Sequence, residues 1–141
     1  MNIRGTTLAW LGIVGIVCVG ALSGASAAQS KSDAWQIPTN APAEQNPVVV
    51  TPDVIKKGQQ IFKSRCEPCH GATGKGNGPF ADKTHPPSDL TDPARAGANP
   101  DGVMFYRIWN GRKNPTMPAF KTDLSRTDVW TVIHYAKTLR Q

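Results

Sequence analysis

The sequence predicts an all-α fold of three or more short helices joined by long loops. Three segments carry helix-capping residues and apolar side chains at helical spacing, and they begin near Thr51, Asn99 and Ser125. Glycine and proline are frequent between these segments, and no run alternates apolar and polar residues as a half-buried strand would. A domain of roughly ninety residues built this way has a thin core of its own, so we expect a bound group to fill its interior.

The first helix is expected to run from Thr51 to about Arg65. Thr51 suits the N-cap, Pro52 suits the first helical position, and Asp53 places an acid in the first turn. Gly58 in the middle of this helix costs about 1 kcal/mol relative to alanine. The close approach of a second helix would account for that glycine.

Two further helices are predicted in the C-terminal half. One has Asn99 as its N-cap and ends at Asn110, with Gly111 well placed to terminate it. The last begins with the capping box from Ser125 to Asp128 and continues to the end of the chain.

The most informative stretch is Cys66-Glu67-Pro68-Cys69-His70. C-x-x-C-H is the attachment site of a c-type haem, in which both thiols form thioethers and the histidine binds the iron. A thioredoxin-like dithiol would need a βαβ context, and a structural zinc site would need more ligands than the motif and Cys18 offer. The motif therefore predicts one covalent haem c, with Cys66 and Cys69 as thioethers and His70 as the proximal iron ligand.

The N-terminal region predicts export. Residues 1–28 combine Arg4, an apolar run and small residues before a cleavage site, as a secretory signal peptide does. An uncleaved membrane anchor is the alternative. Residues 29–50 are rich in Pro, Ala and Asn and predict a flexible arm, on which Trp35 is an exception able to dock. The predicted division is thus 1–28, 29–50 and a haem domain at 51–141.

The charge balance bears on the partners. The chain has 16 basic and 10 acidic residues, for a formal net charge of +6. Because the basic residues are scattered, nucleic acid is a poor candidate, whereas redox proteins with acidic docking surfaces fit. Membrane contact is expected only if the leader is retained. The basic residues expected around an exposed haem edge are Lys75, Arg112, Lys113 and Lys121.

Taken together, these segments resemble a class I cytochrome c of the small monohaem kind found in bacterial periplasms. The resemblance covers roughly Thr51 to Arg140. Its motifs, in order, are G-x-x-I-F, C-x-x-C-H-G-x-x-G-x-G-x-G-P, P-P-S-D-L, W-N-G and M-P-A-F, with an aromatic residue in the last helix. It implies a cytochrome c-like fold wrapped around one haem, and a one-electron carrier rather than an enzyme, working in a periplasmic respiratory or oxidative chain.

The resemblance also implies a distal iron ligand. A methionine in the loop before the last helix has that role in the family, and Met117 in P-T-M-P matches it. A thioether sulfur is a soft ligand that raises the reduction potential. Met104 is the competing sulfur, although on an amphipathic helix a core position is the default. His85 and His134 are expected at the surface.

Other contacts of the haem follow from the resemblance alone. The carbonyl of Pro86 or Pro87 would accept a hydrogen bond from His70 Nδ1. Gly71 would let the backbone pass close to the haem. Gly58 and Phe62 would pair with Tyr135 where the first and last helices cross. Plausible neighbours of the porphyrin or its propionates are Tyr106, Trp109 and Arg112, with a core position as the alternative for Trp109.

Three other interpretations stay open from the sequence. A haem-based sensor would bind a diatomic gas when Met117 dissociates from the iron. A dithiol oxidoreductase would use Cys66 and Cys69 as free thiols. A retained leader would make the domain a membrane-tethered subunit of a redox complex, anchored in the inner membrane and facing the periplasm.

Overall fold

The computed structural model describes residues 35–95 and 97–140. Its four α-helices are α1 (Pro52–Arg65), α2 (Glu67–His70), α3 (Asp101–Asn110) and α4 (Arg126–Thr138), and short 3-10 turns lie at Ala41–Ala43 and Pro93–Arg95. Within the described residues the only β-type pairing is an isolated antiparallel bridge between Arg112 and Met117. The all-α prediction is confirmed. The predicted signal peptide lies outside the described residues.

The ends of α1 and α4 follow from their local sequence. Thr51 Oγ1 accepts a hydrogen bond from Val54 N at 3.2 Å, and Pro52 is in the first turn, as predicted. At α4 the Ser125 hydroxyl accepts from Asp128 N while the Asp128 carboxylate accepts from Ser125 N, which is a complete capping box. However, α4 ends at Thr138 and does not reach the end of the chain.

The start of α3 differs from the prediction. Pro100 is the N-cap, and the helix begins at Asp101. The Asn99 side chain does not cap it, because its amide donates to Arg95 O at 2.6 Å and its oxygen accepts from Arg107. Asn99 therefore ties the preceding loop to α3.

The crossing of α1 and α4 explains the glycine in the middle of α1. A Cβ at Gly58 would lie 2.7 Å from Thr131 O and 2.8 Å from Tyr135 Cβ. The rings of Phe62 and Tyr135 meet on the same side, with centroids 5.3 Å apart. The two helix backbones therefore approach too closely for any larger residue, as the resemblance implied.

The hydrophobic core lies between α3 and α4. Phe105 of α3 and Val129 and Ile133 of α4 are fully buried, and Trp130 is 4% exposed. The Phe105 ring stacks on Trp130 at a centroid distance of 4.3 Å and on Trp109 at 5.6 Å. The contact between Phe105 and Trp130 joins α3 to α4, while Trp109 extends the stack along α3.

Residues 35–50, which we call the N-terminal strap, pack on the helices. The sequence predicted a flexible arm here, and for these residues that prediction is wrong. Ala41 is fully buried, and its carbonyl oxygen lies where a Cβ on Gly102 would be. The Asn46 side chain donates to Trp130 O at 2.8 Å. The sequence did not predict this docking, because most of the contacts involve backbone groups and join residues that are far apart in the chain.

None of the helices within residues 35–95 and 97–140 combines the length and apolar character needed to cross a bilayer.

Candidate functional site

The C-x-x-C-H stretch forms a single helical turn directly after α1. Cys66 ends α1, with its N–H donating to Phe62 O at 2.8 Å. The N–H groups of Cys69 and His70 donate back to Cys66 O at 3.2 and 2.8 Å. Since residues three and four apart are neighbours on a helix surface, this turn brings both thiols and the imidazole together.

A cavity of about 360 Å³ lies beside this turn. Cys66 and His70 border it from the two ends of the turn, and Met117 borders it from the loop between α3 and α4. The volume is within the range of about 300–1,000 Å³ typical of small-ligand and cofactor sites. The apolar part of its lining consists mainly of Phe62, Leu90, Ile108, Val132 and Ala136.

His70 is oriented by the loop that follows the motif. Its Nδ1 donates to Ser88 O at 3.3 Å, since a carbonyl can only accept. The prediction that Pro86 or Pro87 supplies the accepting carbonyl is therefore wrong. The Pro87 carbonyl lies against Gly76, so close that a Cβ on Gly76 would overlap it. Burial lowers the pKa of His70, an effect partly offset by the bond to Ser88. Burial thus favours the neutral imidazole, and the bond from Nδ1 to Ser88 leaves Nε2 available to a metal.

Two sulfur atoms border the cavity. Met117 is fixed through its backbone, since it exchanges two hydrogen bonds of 2.8 Å with Arg112. Gly111 starts this loop in the left-handed region at φ 61°. Met104 also borders the cavity, and its sulfur accepts a hydrogen bond from the Arg140 guanidinium at 3.2 Å while its side chain packs on the core. The core position expected for Met104 is therefore only partly correct.

Two aromatic residues that the resemblance placed near the haem lie elsewhere, whereas the position of Gly71 close to the haem stays a prediction. Gly71 has a φ of 78°, and the Asn77 side chain occupies the position of its missing Cβ, so this glycine is required by the turn after α2. Tyr106 meets the edge of Phe105 at 5.3 Å, and Trp109 stacks on the same ring. Neither of these aromatic residues borders the cavity, so the core alternative holds for Trp109.

Arg107 and Arg112 border the cavity as a pair of like charges. Arg112 Nε donates to Pro115 O at 3.1 Å. Arg107 Nε is buried and has no hydrogen-bond partner among the described residues. Burial lowers the pKa of Arg107, and repulsion from Arg112 lowers it further. A buried, unpaired donor is costly unless a ligand satisfies it.

The carboxylates that border the cavity do not neutralise these arginines. Asp89 accepts from the Thr91 hydroxyl at 2.7 Å, and Asp92 pairs with Arg95 at 3.3 Å. None of the ion pairs within the described residues involves Arg107 or Arg112. The cavity is therefore suited to an anionic group, and the two propionates of a haem would supply one.

The thiols do not have the properties of a redox dithiol. Burial raises the pKa of Cys66 to about 12, and the neighbouring Cys69 contributes to that rise. Reactive C-x-x-C pairs depend on a lowered thiol pKa. Cys69 Sγ lies 3.8 Å from Phe80 O, on the more open side of the turn. Two thiols at this spacing beside an oriented imidazole fit covalent haem attachment, and the donor set of the cavity as a whole fits haem c.

Sequence reasoning missed several residues of the site. Arg107 could have been found, because a charge at the apolar face of an amphipathic helix is unusual. Ser88 acts through its carbonyl, which every residue has, and Trp35 reaches the cavity from a segment without helical or strand periodicity. No local pattern indicates these two residues.

Comparisons with known proteins agree with this site. The family model described as cytochrome c oxidase, cbb3-type, subunit III matches residues 53–135. The cbb3-type cytochrome c oxidase subunit FixP of Azorhizobium caulinodans is 36% identical over 84 residues, which make up 60% of this chain and 27% of that protein. A chain of the Kuenenia stuttgartiensis reducing HAO-like protein complex is 33% identical, with a TM-score of 0.57, over 67% of this chain and 47% of that one.

The matched region thus spans about a quarter of FixP and about half of the other chain. The comparisons support a c-type cytochrome domain, without singling out the small periplasmic monohaem type that the motifs resemble. The fold is that of a cytochrome c and the cofactor is covalently bound haem c, as in domains that serve electron transport. By the match of its haem domain, this chain belongs to the family of the cbb3-type cytochrome c oxidase subunit III.

Proposed function

We propose that this chain is a one-electron carrier of the small class I kind, with a single haem c attached to Cys66 and Cys69. His70 and Met117 would be the axial iron ligands. One observation carries the proposal, namely that a single cavity is bordered by Cys66, by the oriented imidazole and by the Met117 sulfur. The bound haem supplies a reversible Fe(III)/Fe(II) couple whose potential depends on its ligands and surroundings.

Each group around the cavity then has a defined role in holding the haem. Ser88 O holds the His70 ring in one orientation and one tautomer. The bridge to Arg112 holds Met117 in place. Arg107 and Arg112 would bind the propionates. If His70 and Met117 both hold the iron, no position would remain for a substrate, which supports an electron carrier rather than an enzyme.

We propose the periplasm as the location, on the basis of the signal-like residues 1–28. A second candidate is a membrane-tethered subunit of a redox complex, which is favoured by the family match to an oxidase subunit. The N-terminal residue of the purified protein distinguishes the two. Ala28 or Gln29 indicates a cleaved, soluble carrier, whereas Met1 together with recovery in the membrane fraction indicates a tether.

Acidic surfaces on the redox partners are part of the proposal. Lys75, Lys113 and Lys121 are exposed, as a basic docking surface requires. Arg112 was expected among these exposed basic residues. It is instead half-buried, and its guanidinium lies 4.4 Å from the Trp35 ring centroid. The docking charge would therefore come from the lysines.

The ligand assignment is tested by comparing Met117→Leu with Met104→Leu. Both changes remove a sulfur that borders the cavity and keep a similar volume. We expect the ferric wild-type protein and Met104→Leu to show the weak sulfur-to-iron charge-transfer band at the red end of the spectrum. Met117→Leu should lose the band, bind carbon monoxide in the ferrous state and have a lower reduction potential.

Three results would contradict the proposal. Loss of the band in Met104→Leu alone would make Met104 the ligand. Carbon monoxide binding by the native ferrous protein at neutral pH would favour a gas-binding function. A mature protein whose mass lacks haem and whose Cys66 and Cys69 are free would remove the haem site altogether.

A further inference from the structure

We propose that the N-terminal strap is part of the haem site, and that Trp35 closes the cavity over Arg107 and Arg112. The inference rests on the haem site proposed above. It adds to that site a segment before residues 53–135, the range that the family model matches. Trp35 is then a positioning residue that controls access of water to the propionate-binding arginines.

Trp35 borders the cavity directly. Its ring centroid lies 4.4 Å from the Arg112 guanidinium carbon and 5.4 Å from that of Arg107. A cation over an indole face is attracted by the ring, more strongly where water is excluded. A single indole thus contacts both of the arginines that lack a carboxylate partner.

The strap is held at several points along its length. Three side-chain-to-backbone hydrogen bonds, each of 2.8 Å, tie it to α3 and α4. They run from Asn110 to Gln36 O, from Asn46 to Trp130 O and from His134 to Val48 O. Asn110 anchors the residue next to Trp35, so the indole is placed by a direct contact with α3.

Gly102 shows that α3 and the strap fit closely. It lies in the first turn of α3, where glycine is otherwise unfavourable by about 1 kcal/mol relative to alanine. A Cβ at this position would overlap the carbonyl oxygen of the fully buried Ala41 and come within 2.8 Å of Glu44 Cβ. The glycine therefore makes room for the strap.

The expected effect on the haem follows from electrostatics. In a cavity that excludes water, charges interact more strongly than in bulk solvent. Dry surroundings favour the less charged ferrous state, and neutralisation of the propionates by the arginines has the same effect. Closure by Trp35 should therefore raise the reduction potential, and opening should lower it.

The test uses the full-length holoprotein and begins at the indole. Trp35→Ala should lower the reduction potential. Trp35→Phe keeps an aromatic face over Arg112, so its potential should stay close to the wild-type value. Val49→Ala is the control, because Val49 belongs to the same strap but is 78% exposed. It should leave the potential at the wild-type value.

A second variant displaces the strap without changing any residue that borders the cavity. Gly102→Ala should push the strap away from α3, lower the potential in the same direction as Trp35→Ala, and speed proteolytic cleavage within residues 35–50. Its matched control is Gly97→Ala, since a Cβ at Gly97 would have no neighbour within 4 Å. The control should change neither quantity.

The outcomes separate this inference from the function on which it rests. The Met117 charge-transfer band should be present in the wild type and in all of these variants, and its absence from the wild type would reject the proposed ligand set. If the band is present but Trp35→Ala leaves the potential unchanged, closure by Trp35 is rejected. If Trp35→Ala lowers the potential and Gly102→Ala does not, the docked strap is not what positions the indole.

Discussion

The Asp128 carboxylate joins two structural tasks in one side chain. One oxygen accepts from Ser125 N at 3.3 Å, which completes the capping box of α4, and also accepts from the Ser125 hydroxyl at 2.7 Å. The other lies 2.6 Å from Lys57 Nζ on α1. These partners, Lys57 first, hold the pKa of Asp128 below its ordinary value. A single carboxylate therefore starts one helix and links it to another.

This contact makes stability depend on pH in a defined direction. Because the pKa of Asp128 is lowered by folding, its contribution is present above the ordinary Asp pKa and is lost as the pH falls through the lowered one. We expect Asp128→Asn to reduce the free energy of unfolding by up to about 1 kcal/mol at neutral pH, because it removes a partly exposed ion pair and weakens the capping box. The difference from wild type should shrink in acid.

Denaturant titration of the holoprotein at several pH values measures this effect. Asp123→Asn is the matched control, since that exposed carboxylate is 4.0 Å from Arg65 and should contribute little. Equal losses for the two variants, or a loss for Asp128→Asn that does not depend on pH, would contradict the assignment.

Among the helices, the contact of α1 with α4 sets the geometry of the site. α1 leads directly into the turn that carries Cys66 and His70, and α4 supplies Val132 and Ala136 to the cavity wall. A change in the spacing of these two helices would therefore alter the cavity itself. Gly58 is a position where the two helices approach closely.

Gly58→Ala tests the crossing. Alanine improves helix propensity by about 1 kcal/mol, but its Cβ would meet Thr131 O and Tyr135 Cβ, and overpacking typically costs 1–3 kcal/mol. Because one of the opposing atoms belongs to the α4 backbone, we expect net destabilisation and a shift of the haem absorption spectrum. Gly97→Ala, in open space, should show neither effect. A stabilised Gly58→Ala protein would mean that the helices separate easily.

The helices could be predicted because their signals are local. Thr51, Pro52 and the box from Ser125 to Asp128 specify helix ends within a few residues of themselves. The short helix α2 was not predicted, since four residues containing a proline carry no periodicity. The contact between Ala41 and Gly102 joins segments about sixty residues apart, so no local sequence pattern could predict it.

For the molecule as a whole, the excess of basic residues is the property that a redox partner meets first. The net charge of +6 belongs to the full sequence, and exposed lysines occur on both sides of Met117 in the chain, at Lys113 and Lys121. Such an imbalance speeds encounter with acidic partners at low ionic strength. The reduction potential, in contrast, depends mainly on the buried groups around the haem.

Electron-transfer kinetics test the role of this charge. Oxidation of the ferrous protein by an anionic metal complex or an acidic redox protein should slow as salt is added, because screening acts over about 10 Å at 0.1 M. A neutral oxidant should show no such dependence. The double variant Lys113→Gln/Lys121→Gln should flatten the salt dependence, and unchanged kinetics would locate the docking surface elsewhere.

The residues proposed to bind the haem were easier to predict from the sequence than the residues that line the cavity. C-x-x-C-H specifies its own cofactor through three side chains within five residues, and the resemblance indicated Met117 because it lies in the loop before the last helix. The walls are different, since Arg107, Ser88 and Trp35 gain their significance only when distant segments meet around the cavity. Their assignment required the tertiary structure.

The bridge between Arg112 and Met117 makes the two ends of the site mechanically dependent on each other. Two backbone hydrogen bonds join these residues, and the Arg112 side chain continues to Trp35. A movement that withdraws the sulfur from the cavity would pull Arg112 along and disturb its contact with the indole. We therefore expect displacement of the strap to speed the replacement of Met117 by an added iron ligand, while the Met117 bond remains the equilibrium state.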